Sequence, residues 1–211
     1  MTRHQLPRFA GETLFDRLAR TVCEAECLPR KELYEAWEVA KRIRRRARGG
    51  VIHDCAGGHG LTAYALLLLD DSSPGAVVVD RRQPASFGRL RDALEARWPR
   101  LQGRVEYHDG DLREYAAGGE GDLFVGVHAC GPLTDRVIDL ALARRARVAV
   151  LPCCHSAERC DRGGLEGWLP VGVAVDATRV ARLRGEGYRV HTTTIPDDIT
   201  PENRLLLGRP G

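Results

Sequence analysis

The sequence predicts an α/β fold in which a seven-stranded, mainly parallel sheet ends in an antiparallel last strand. A short two-helix extension precedes this sheet. From Val51 onwards, short apolar strand patterns alternate with helical patterns, which is typical of right-handed βαβ crossovers. The last two strand patterns follow each other with no helix between them, which indicates a terminal hairpin. A chain of 211 residues is long enough for one such domain with a sizeable core.

Residues 1–50 are predicted to form the N-terminal helical extension, and the first ten of them are expected to be irregular. Apolar residues at helical spacing predict one helix over Thr13–Ala25 and a second from Pro29 to about Arg48. We expect these helices to pack over the catalytic face or to contact substrate. Cys23 and Cys27 have a spacing that suits a metal, but they lack a partner pair and are interpreted as small buried side chains.

Residues 51–211 are predicted to carry the sheet. The seven strands are expected over Val51–Asp54, Ala76–Val79, Arg104–His108, Leu123–Val127, Val148–Leu151, Tyr188–Ile195 and Asn203–Leu207. The intervening helices are expected over Leu61–Leu69, about Ala85–Trp98, about Leu133–Arg144 and about Ala174–Gly185. A long loop rich in cysteine, arginine and glycine follows the fifth strand.

The net charge of +3 hides an uneven distribution, because residues 1–50 carry twelve basic and seven acidic side chains. Much of this excess lies in the basic segment 41–48, which is dense enough to meet the phosphates of RNA. The alternative is a solvated helix end whose basic side chains complement the helix dipole. Only two of the 32 basic residues are lysine, which indicates a general preference for arginine, so both interpretations stay open.

Cysteine usage and hydropathy favour a soluble, cytoplasmic protein. Seven cysteines, several of them beside histidines, indicate reduced thiols rather than a disulfide framework. The charged first 30 residues contain no secretory apolar segment. The longest apolar run, Leu61–Leu69, is far shorter than the roughly 20 residues that span a bilayer, so no membrane partner is expected.

A glycine-rich turn joins the first strand to its helix. Asp54 closes the strand, and small residues follow at Ala56, Gly57, Gly58 and Gly60, where a missing side chain lets a cofactor approach the backbone. This acid-x-small-x-Gly-x-Gly spacing resembles the cofactor loop of class I S-adenosylmethionine-dependent methyltransferases. The resemblance implies a Rossmann-like methyltransferase domain over 51–211, with Asp54 accepting the cofactor ammonium group or ordering water beside it.

Acidic residues also follow the second and third strands. Asp80 is placed to accept hydrogen bonds from ribose hydroxyls, and Asp111 from an adenine amino group. Helix capping or turn formation is the alternative role, and it suits Asp109 and Asp111 better than Asp54 and Asp80. A nicotinamide-dinucleotide domain is disfavoured because the G-x-G-x-x-G spacing is absent. The predicted cofactor-binding residues are Asp54, Ala56, Gly57, Gly58, Gly60, Asp80, Asp111 and His128.

A group of cysteines and histidines, here called the Cys/His rim, is predicted around the ends of strands one, four and five. It comprises His53, Cys55, His59, His128, Cys130, Cys153, Cys154, His155 and Cys160. One interpretation is a zinc or iron site made by Cys130, Cys153, Cys154 and His155. Another assigns His128, His155 and Cys130 to catalysis, with a histidine taking the proton of the methyl acceptor. The third is packing of small thiols and hydrogen-bonded imidazoles.

Three segments carry a narrower resemblance. His128–Asp135, Cys153–His155 and Arg159–Asp161 resemble the domain of the tRNA acceptor-stem ribose 2′-O-methyltransferases and of related members with unassigned acceptors. The resemblance covers about residues 51–161 and implies a Rossmann-like fold, S-adenosylmethionine and RNA as an acceptor. Nothing before Val51 resembles the N-terminal cysteine/histidine modules of those enzymes, and the spacing between the last two segments is two residues longer here.

The expected function is S-adenosylmethionine-dependent methyl transfer, with RNA slightly favoured as acceptor. One alternative is a small-molecule or protein acceptor. For a small molecule, the loop 163–170 with Trp168 and the segment 199–203 would line the pocket. A second alternative is a metal- or thiol-dependent binding protein on the same fold. A third is a cofactor-binding structural partner without catalysis.

Overall fold

The computed structural model describes all 211 residues. Six α-helices are present: α1 (Leu14–Ala25), α2 (Arg30–Arg44), α3 (Leu61–Leu69), α4 (Ala85–Arg97), α5 (Pro132–Arg144) and α6 (Val171–Gly185). The strands are β1 (Ile52–Cys55), β2 (Ala76–Asp80), β3 (Val105–Asp109), β4 (Leu123–Gly126), β5 (Arg147–Val150), β6 (Tyr188–Thr194) and β7 (Arg204–Pro210). None of the helices is long and apolar enough to cross a membrane.

The N-terminal segment corrects one expectation. Residues 1–10 are not irregular, since Arg3–Phe9 forms a 3₁₀ helix. Its first turn is closed by two hydrogen bonds, from the Gln5 backbone N–H to the Thr2 carbonyl oxygen (3.0 Å) and from the Thr2 N–H to the Gln5 side-chain oxygen (3.1 Å). Phe9 then inserts into the core. A second short 3₁₀ helix, Pro99–Leu101, follows α4.

The seven strands form one sheet in the order β3-β2-β1-β4-β5-β7-β6. The first five strands in this order run parallel to one another. Strand β7 lies between β5 and β6 and runs antiparallel to both. This confirms the predicted sheet with its reversed last strand. Strand order changes direction between β1 and β4, and ligands of such sheets bind beyond the carboxyl ends of the strands at this point.

The two N-terminal helices share one core with the sheet. Helix α1 packs against α4, and α2 packs against α3. Leu18 of α1 and Ile43 of α2 are fully buried in the same cluster as Ile52 of β1 and Leu66 of α3. Helices α5 and α6 cover the opposite face, over a second cluster. The apolar stripes of α1 and α2 therefore complete the layer that covers β1.

The C-terminal end of α2 is anchored by a buried arginine. Arg44 is 3% exposed, and its guanidinium donates to the Leu66 carbonyl oxygen at 3.0 Å and to the Ser73 hydroxyl at 2.9 Å. Burial lowers the pKa of Arg44 to about 10, although nearby Asp70 favours the charged form. Asp70 also accepts from Arg48 at 2.7 Å. These contacts fix the orientation of α2 on the domain.

Candidate active site

The turn between β1 and α3 is built for close backbone packing. A Cβ atom on Gly57 would lie 2.7 Å from the carboxyl carbon of Asp54, and one on Gly60 would lie 2.9 Å from a methyl group of Val78. Gly60 has φ +74°, and Ala56 has φ +56° although it carries a side chain. A non-glycine residue in the left-handed region is strained. The turn therefore stores strain at Ala56.

Asp54 supports this turn from within the protein. Its side chain is buried, 1% exposed, and one carboxylate oxygen accepts a hydrogen bond from the Ala63 backbone N–H at 3.1 Å. Burial raises the pKa of Asp54 to about 7, with a further increase from the charge of Asp80 and an opposing effect of the Ala63 hydrogen bond. The carboxyl group thus ties the end of β1 to the first turn of α3.

Asp80 links the end of β2 to the glycine turn. One of its carboxylate oxygens accepts from the Gly58 backbone N–H at 3.0 Å, and the other accepts from the Arg81 N–H at 2.7 Å. A Cβ on Gly58 would meet no atom within 4 Å. The turn therefore presents open space directly beside a half-buried carboxylate.

Asp111, after β3, is held by its neighbour Arg113. The guanidinium of Arg113 contacts both carboxylate oxygens, at 3.0 and 2.6 Å, and the Arg113 backbone N–H donates at 2.9 Å. These contacts hold the pKa of the Asp111 carboxyl well below its usual range. Asp111 therefore presents a fixed negative charge.

A cleft of about 510 Å³ lies at the carboxyl ends of the parallel strands. Its walls include Ala56, Asp80, Asp111, His128, Cys130 and Arg159. This volume is within the range of small-molecule and cofactor sites. The structure therefore brings together, around one opening, the last residue of β2 and residues that follow β1, β3, β4 and β5.

A buried carboxylate on α2 lies against His128, one of the residues that line this cleft, and sequence reasoning missed it. Glu35 is 2% exposed, and its Oε2 atom has no hydrogen-bond partner. The nearest cation is Lys31, whose Nζ lies 3.5 Å from Oε1, and Oε2 lies 3.6 Å from Nε2 of His128. The sequence carried a signal, because Glu35 is a charged residue on the apolar face of α2, beside Ala36 and Val39.

A second glutamate on α2 approaches the glycine turn. Nε2 of His59 lies 3.7 Å from Glu32, while Nδ1 lies 2.5 Å from the hydroxyl of Ser86 at the start of α4. Together with the contact between Glu35 and His128, this places the first half of α2 beside the glycine turn and the segment after β4. That the N-terminal helices pack over a catalytic face stays a prediction.

Three members of the Cys/His rim converge, one from the segment after β4 and two from the segment after β5. The Sγ atoms of Cys130, Cys153 and Cys154 all lie within 4.8 Å of one another, and those of Cys130 and Cys153 are 3.0 Å apart. Burial raises the pKa of the Cys130 and Cys153 thiols, and the adjacent sulfur atoms add to the effect at Cys153. We call these three residues the cysteine cluster.

His155 lies outside the cysteine cluster. Its Nε2 is 3.0 Å from Asp176 on α6, and its Nδ1 is 3.6 Å from Glu202. Asp176 also contacts Arg179, a 2%-exposed side chain that makes two 2.8 Å hydrogen bonds to Asp135 on α5. His155 is therefore part of a buried ionic network that joins the segment after β5 to α6.

Three other members of the Cys/His rim are buried, which corrects their predicted placement. The Nδ1 of His53 lies 2.7 Å from the Tyr115 hydroxyl, and its Nε2 lies 3.3 Å from Asp122. Cys55 is fully buried, and Cys160 is 7% exposed. His53 and Cys55 alternate with Asp54 along β1, so they point to the opposite face of the sheet. Burial lowers the pKa of His53, against the effect of Asp122.

The basic segment 41–48 is only partly free. Besides Arg44 and Arg48, Lys41 and Arg42 are also paired, both with Glu38. Arg45 and Arg46 remain exposed. They line two adjoining clefts together with side chains from β6 and β7. We call this group the composite basic surface; it consists of Arg45, Arg46, Arg189, His191 and Arg209.

Trp168, in the loop before α6, has an 86%-exposed side chain. It is the only large apolar side chain left exposed. A small-molecule pocket lined by the loop 163–170 stays a prediction.

A family model described as a methyltransferase domain matches residues 31–159. No curated protein sequence matches the chain. Similar solved structures include an O-methyltransferase family protein from Burkholderia thailandensis (20% identity, TM-score 0.53, 98% of this chain and 63% of that one). A tRNA methyltransferase from B. subtilis is also similar (16% identity, TM-score 0.56, 84% of this chain and 65% of that one). So is a precorrin-6y methyltransferase from Geobacter metallireducens (14% identity, TM-score 0.54, 87% of this chain and 89% of that one). The chain spans just under two thirds of the first two proteins.

Proposed function

The chain belongs to the family of methyltransferase domains whose model matches residues 31–159, and on this premise we propose that it uses S-adenosylmethionine to methylate RNA. The observation that carries the cofactor assignment is the hydrogen bond from the Gly58 N–H to Asp80 at the mouth of the cleft. It sets a glycine turn and a carboxylate together at the change in strand order, where nucleoside cofactors bind in such sheets.

The residues of the cleft fit S-adenosylmethionine. The open space beside Gly58 admits the methionine portion against the backbone, and Asp80 is placed at the end of β2 to accept from ribose hydroxyls. Asp111 would accept from the adenine amino group. Asp54 is buried beneath the glycine turn and supports it by accepting a hydrogen bond from the Ala63 N–H.

When bound, the cofactor would supply an electrophilic methyl group on a sulfonium. The work left to the protein is to orient the acceptor and to remove its proton. We assign the proton to His128, whose side chain is 41% exposed at the cleft; its Nε2 faces Glu35, so Nδ1 is the nitrogen left for the acceptor. His155 is the weaker candidate, because its Nε2 contacts Asp176 and its Nδ1 lies 3.6 Å from Glu202. A positioned histidine base contributes about 10²- to 10⁴-fold to such a transfer.

Binding of S-adenosylhomocysteine tests the cofactor assignment by calorimetry. We expect the unaltered protein to bind and Asp80→Ala to bind about 10- to 100-fold more weakly, because a hydrogen bond to a charged group contributes about 1.5–3 kcal/mol. Asp109→Ala is the matched control, since Asp109 ends the neighbouring strand β3 and is exposed; it should bind normally. If S-adenosylhomocysteine did not bind to the unaltered protein, the cofactor assignment would be wrong.

The acceptor assignment depends on the composite basic surface. The similar structures named above carry different acceptors in their names, so the fold alone does not select one. Arg45, Arg46, Arg189 and Arg209 are exposed. Burial lowers the pKa of His191, and the charge of Arg46 lowers it further. Such a cluster of guanidinium groups suits a phosphate backbone.

Helix α2 connects this surface to the cleft. Glu35 contacts His128 at one end, and Arg45 follows the other end. Ten residues of helix separate them by about 15 Å. The composite basic surface lies beside Leu123 and Arg147, at the amino ends of β4 and β5, whereas the cleft lies at the carboxyl ends of the strands. An RNA acceptor would therefore have to extend around the edge of the domain to contact both.

Charge reversal tests this acceptor. Arg45→Glu combined with Arg46→Glu should abolish retention of total RNA at low salt, and each lost phosphate contact should reduce the salt slope by about 0.7–0.9. The matched control is Arg89→Glu with Arg97→Glu, two exposed arginines on α4. Equal retention by both double variants would instead favour a small-molecule or protein acceptor.

A further inference from the structure

The cysteine cluster has the composition of a metal centre. Three sulfur atoms within 4.8 Å of one another are more than a redox pair requires. A tetrahedral Zn²⁺ holds its sulfur ligands about 2.3 Å away, which separates two sulfurs by about 3.8 Å. The Cys130 and Cys153 sulfurs are 3.0 Å apart, and no pair in the cluster exceeds 4.8 Å, so the three sulfurs are close enough to share one ion.

The two segments that carry the cluster are fixed to each other and to the domain. The Gly131 N–H donates to the Cys154 carbonyl oxygen at 3.1 Å, and Arg179 donates to the Gly131 carbonyl oxygen at 3.1 Å. His155, next to Cys154, is held by Asp176. Such outer contacts keep metal ligands in place before the ion arrives. The cluster is therefore pre-organised although two of its thiols are exposed.

One helix terminus near the cluster also favours bound thiolates. Three thiolates and one Zn²⁺ carry a net charge of −1. Helix α5 begins at Pro132, directly after Gly131, and runs for 13 residues. The positive end of its dipole thus lies two residues from Cys130, where it favours a negative centre.

We propose that Cys130, Cys153 and Cys154 bind one Zn²⁺ as thiolates, with the fourth coordination position left to water or the methyl acceptor. Three protein ligands with one open position is the arrangement of catalytic zinc sites, whereas structural sites have four. Thiolate ligands select zinc over magnesium or calcium. Each ion bound would release three protons, one from each thiol.

The position of the site gives the ion a role in methyl transfer. Cys130 lines the cleft that also contains His128 and Asp80. A zinc ion there would act as a Lewis acid and lower the pKa of a bound hydroxyl, amine or thiol of the acceptor. This role depends on the proposed function, whereas binding of the ion does not.

Zinc content of the full chain, purified under reducing conditions without chelators, tests the site. We expect about one zinc per chain, and less than about a tenth of that for Cys153→Ser combined with Cys154→Ser. Cys27→Ser is the matched control, because Cys27 is a half-buried thiol outside the cluster; it should keep its zinc. Titration of the reduced, metal-free protein with Co²⁺ alone should produce a thiolate-to-cobalt charge-transfer band that the double variant lacks.

Two results would overturn the proposal. The first is reduced protein, folded by circular dichroism, that binds neither Zn²⁺ nor Co²⁺. The second is full zinc content in the Cys153/Cys154 double variant. Calorimetry with S-adenosylhomocysteine on the metal-free protein tests the proposed function separately, because cofactor binding uses the glycine turn and Asp80 rather than the cysteines. Metal-free protein that still binds S-adenosylhomocysteine would leave the proposed function in place even if the zinc site were disproved.

Discussion

The Oε2 atom of Glu35 lies 3.6 Å from Nε2 of His128 and has no hydrogen-bond partner. Glu35 belongs to helix α2, whereas His128 follows β4. A buried carboxylate without a full set of partners costs folding free energy. Such a cost is typical of residues retained for function rather than stability. We expect Glu35 to be a positioning residue that orients the imidazole of His128.

Replacing Glu35 with glutamine should therefore separate activity from stability. Glu35→Gln keeps the shape of the side chain and removes its charge, so we expect kcat to fall about 10-fold while the KM for S-adenosylmethionine stays unchanged. His128→Ala should reduce kcat about 100-fold or more. The melting temperature of Glu35→Gln should stay the same or rise, because the buried charge is gone.

Glu38→Gln is the control for this experiment. Glu38 lies one turn further along α2 and pairs with Lys41 and Arg42. Its replacement should leave kcat unchanged and lower stability by about 1 kcal/mol, because these ion pairs are only partly buried. A Glu35→Gln variant that melts lower and turns over normally would mean that Glu35 is merely structural.

The carboxyl group of Asp54 should make stability depend on pH. Its pKa is about 7 in the folded protein, well above the value of about 3.9 for an unfolded chain. The native state therefore binds this proton more tightly, and its stabilising effect is lost as pH rises from about 4 towards 7. Asp54→Asn, which keeps an oxygen for the Ala63 N–H, should remove this component.

Denaturant titrations between pH 5 and 8 measure the effect. The free energy of unfolding of Asp54→Asn, relative to the unaltered protein, should increase with pH and level off above the native pKa. One pKa unit corresponds to 1.36 kcal/mol, so a shift of three units sets an upper bound of about 4 kcal/mol. A difference between the two proteins that does not change with pH would show that Asp54 is ionised throughout.

Ala56→Gly should stabilise the protein. Ala56 has φ +56°, and a left-handed conformation costs a residue with a side chain about 1–2 kcal/mol, whereas glycine adopts it freely. The greater freedom of glycine in the unfolded chain offsets part of this gain. We expect a net increase of about 0.5–1 kcal/mol in the free energy of unfolding. The control is Ala65→Gly, within helix α3, which should lower the free energy of unfolding by about 1 kcal/mol or more. If both variants lowered the free energy of unfolding, Ala56 would not be strained.

Arg179→Met should destabilise the protein strongly. Arg179 is 2% exposed and contacts Asp135 and Asp176. Its loss leaves partly buried carboxylates without their cation, which costs about 3–5 kcal/mol. Arg182→Met, three residues along α6, removes an exposed pair with Asp139 and should cost less than about 1 kcal/mol. Thermal and denaturant unfolding of both variants give the comparison, and equal losses would show that burial of the network contributes nothing.

Local sequence patterns were sufficient for the fold. Apolar periodicity located all six α-helices and seven strands, with Leu61–Leu69 at the observed bounds. The hairpin without an intervening helix predicted the reversed β7. These features depend on neighbours along the chain, where backbone sterics and burial of one face fix the period. The 3₁₀ helix Arg3–Phe9 was missed because its turn depends on the Thr2 and Gln5 hydrogen bonds rather than on periodicity.

The sequence by itself therefore determined the sheet, the glycine turn with Asp54 and Asp80, and the neighbouring positions of Cys130 and Cys153. Only the tertiary structure decided which side chains meet. It placed His53 in the core, His155 on Asp176, and Glu35 against His128. The physical reason is that strand alternation and helix packing set the direction of each side chain, and those directions depend on partners far away in the sequence.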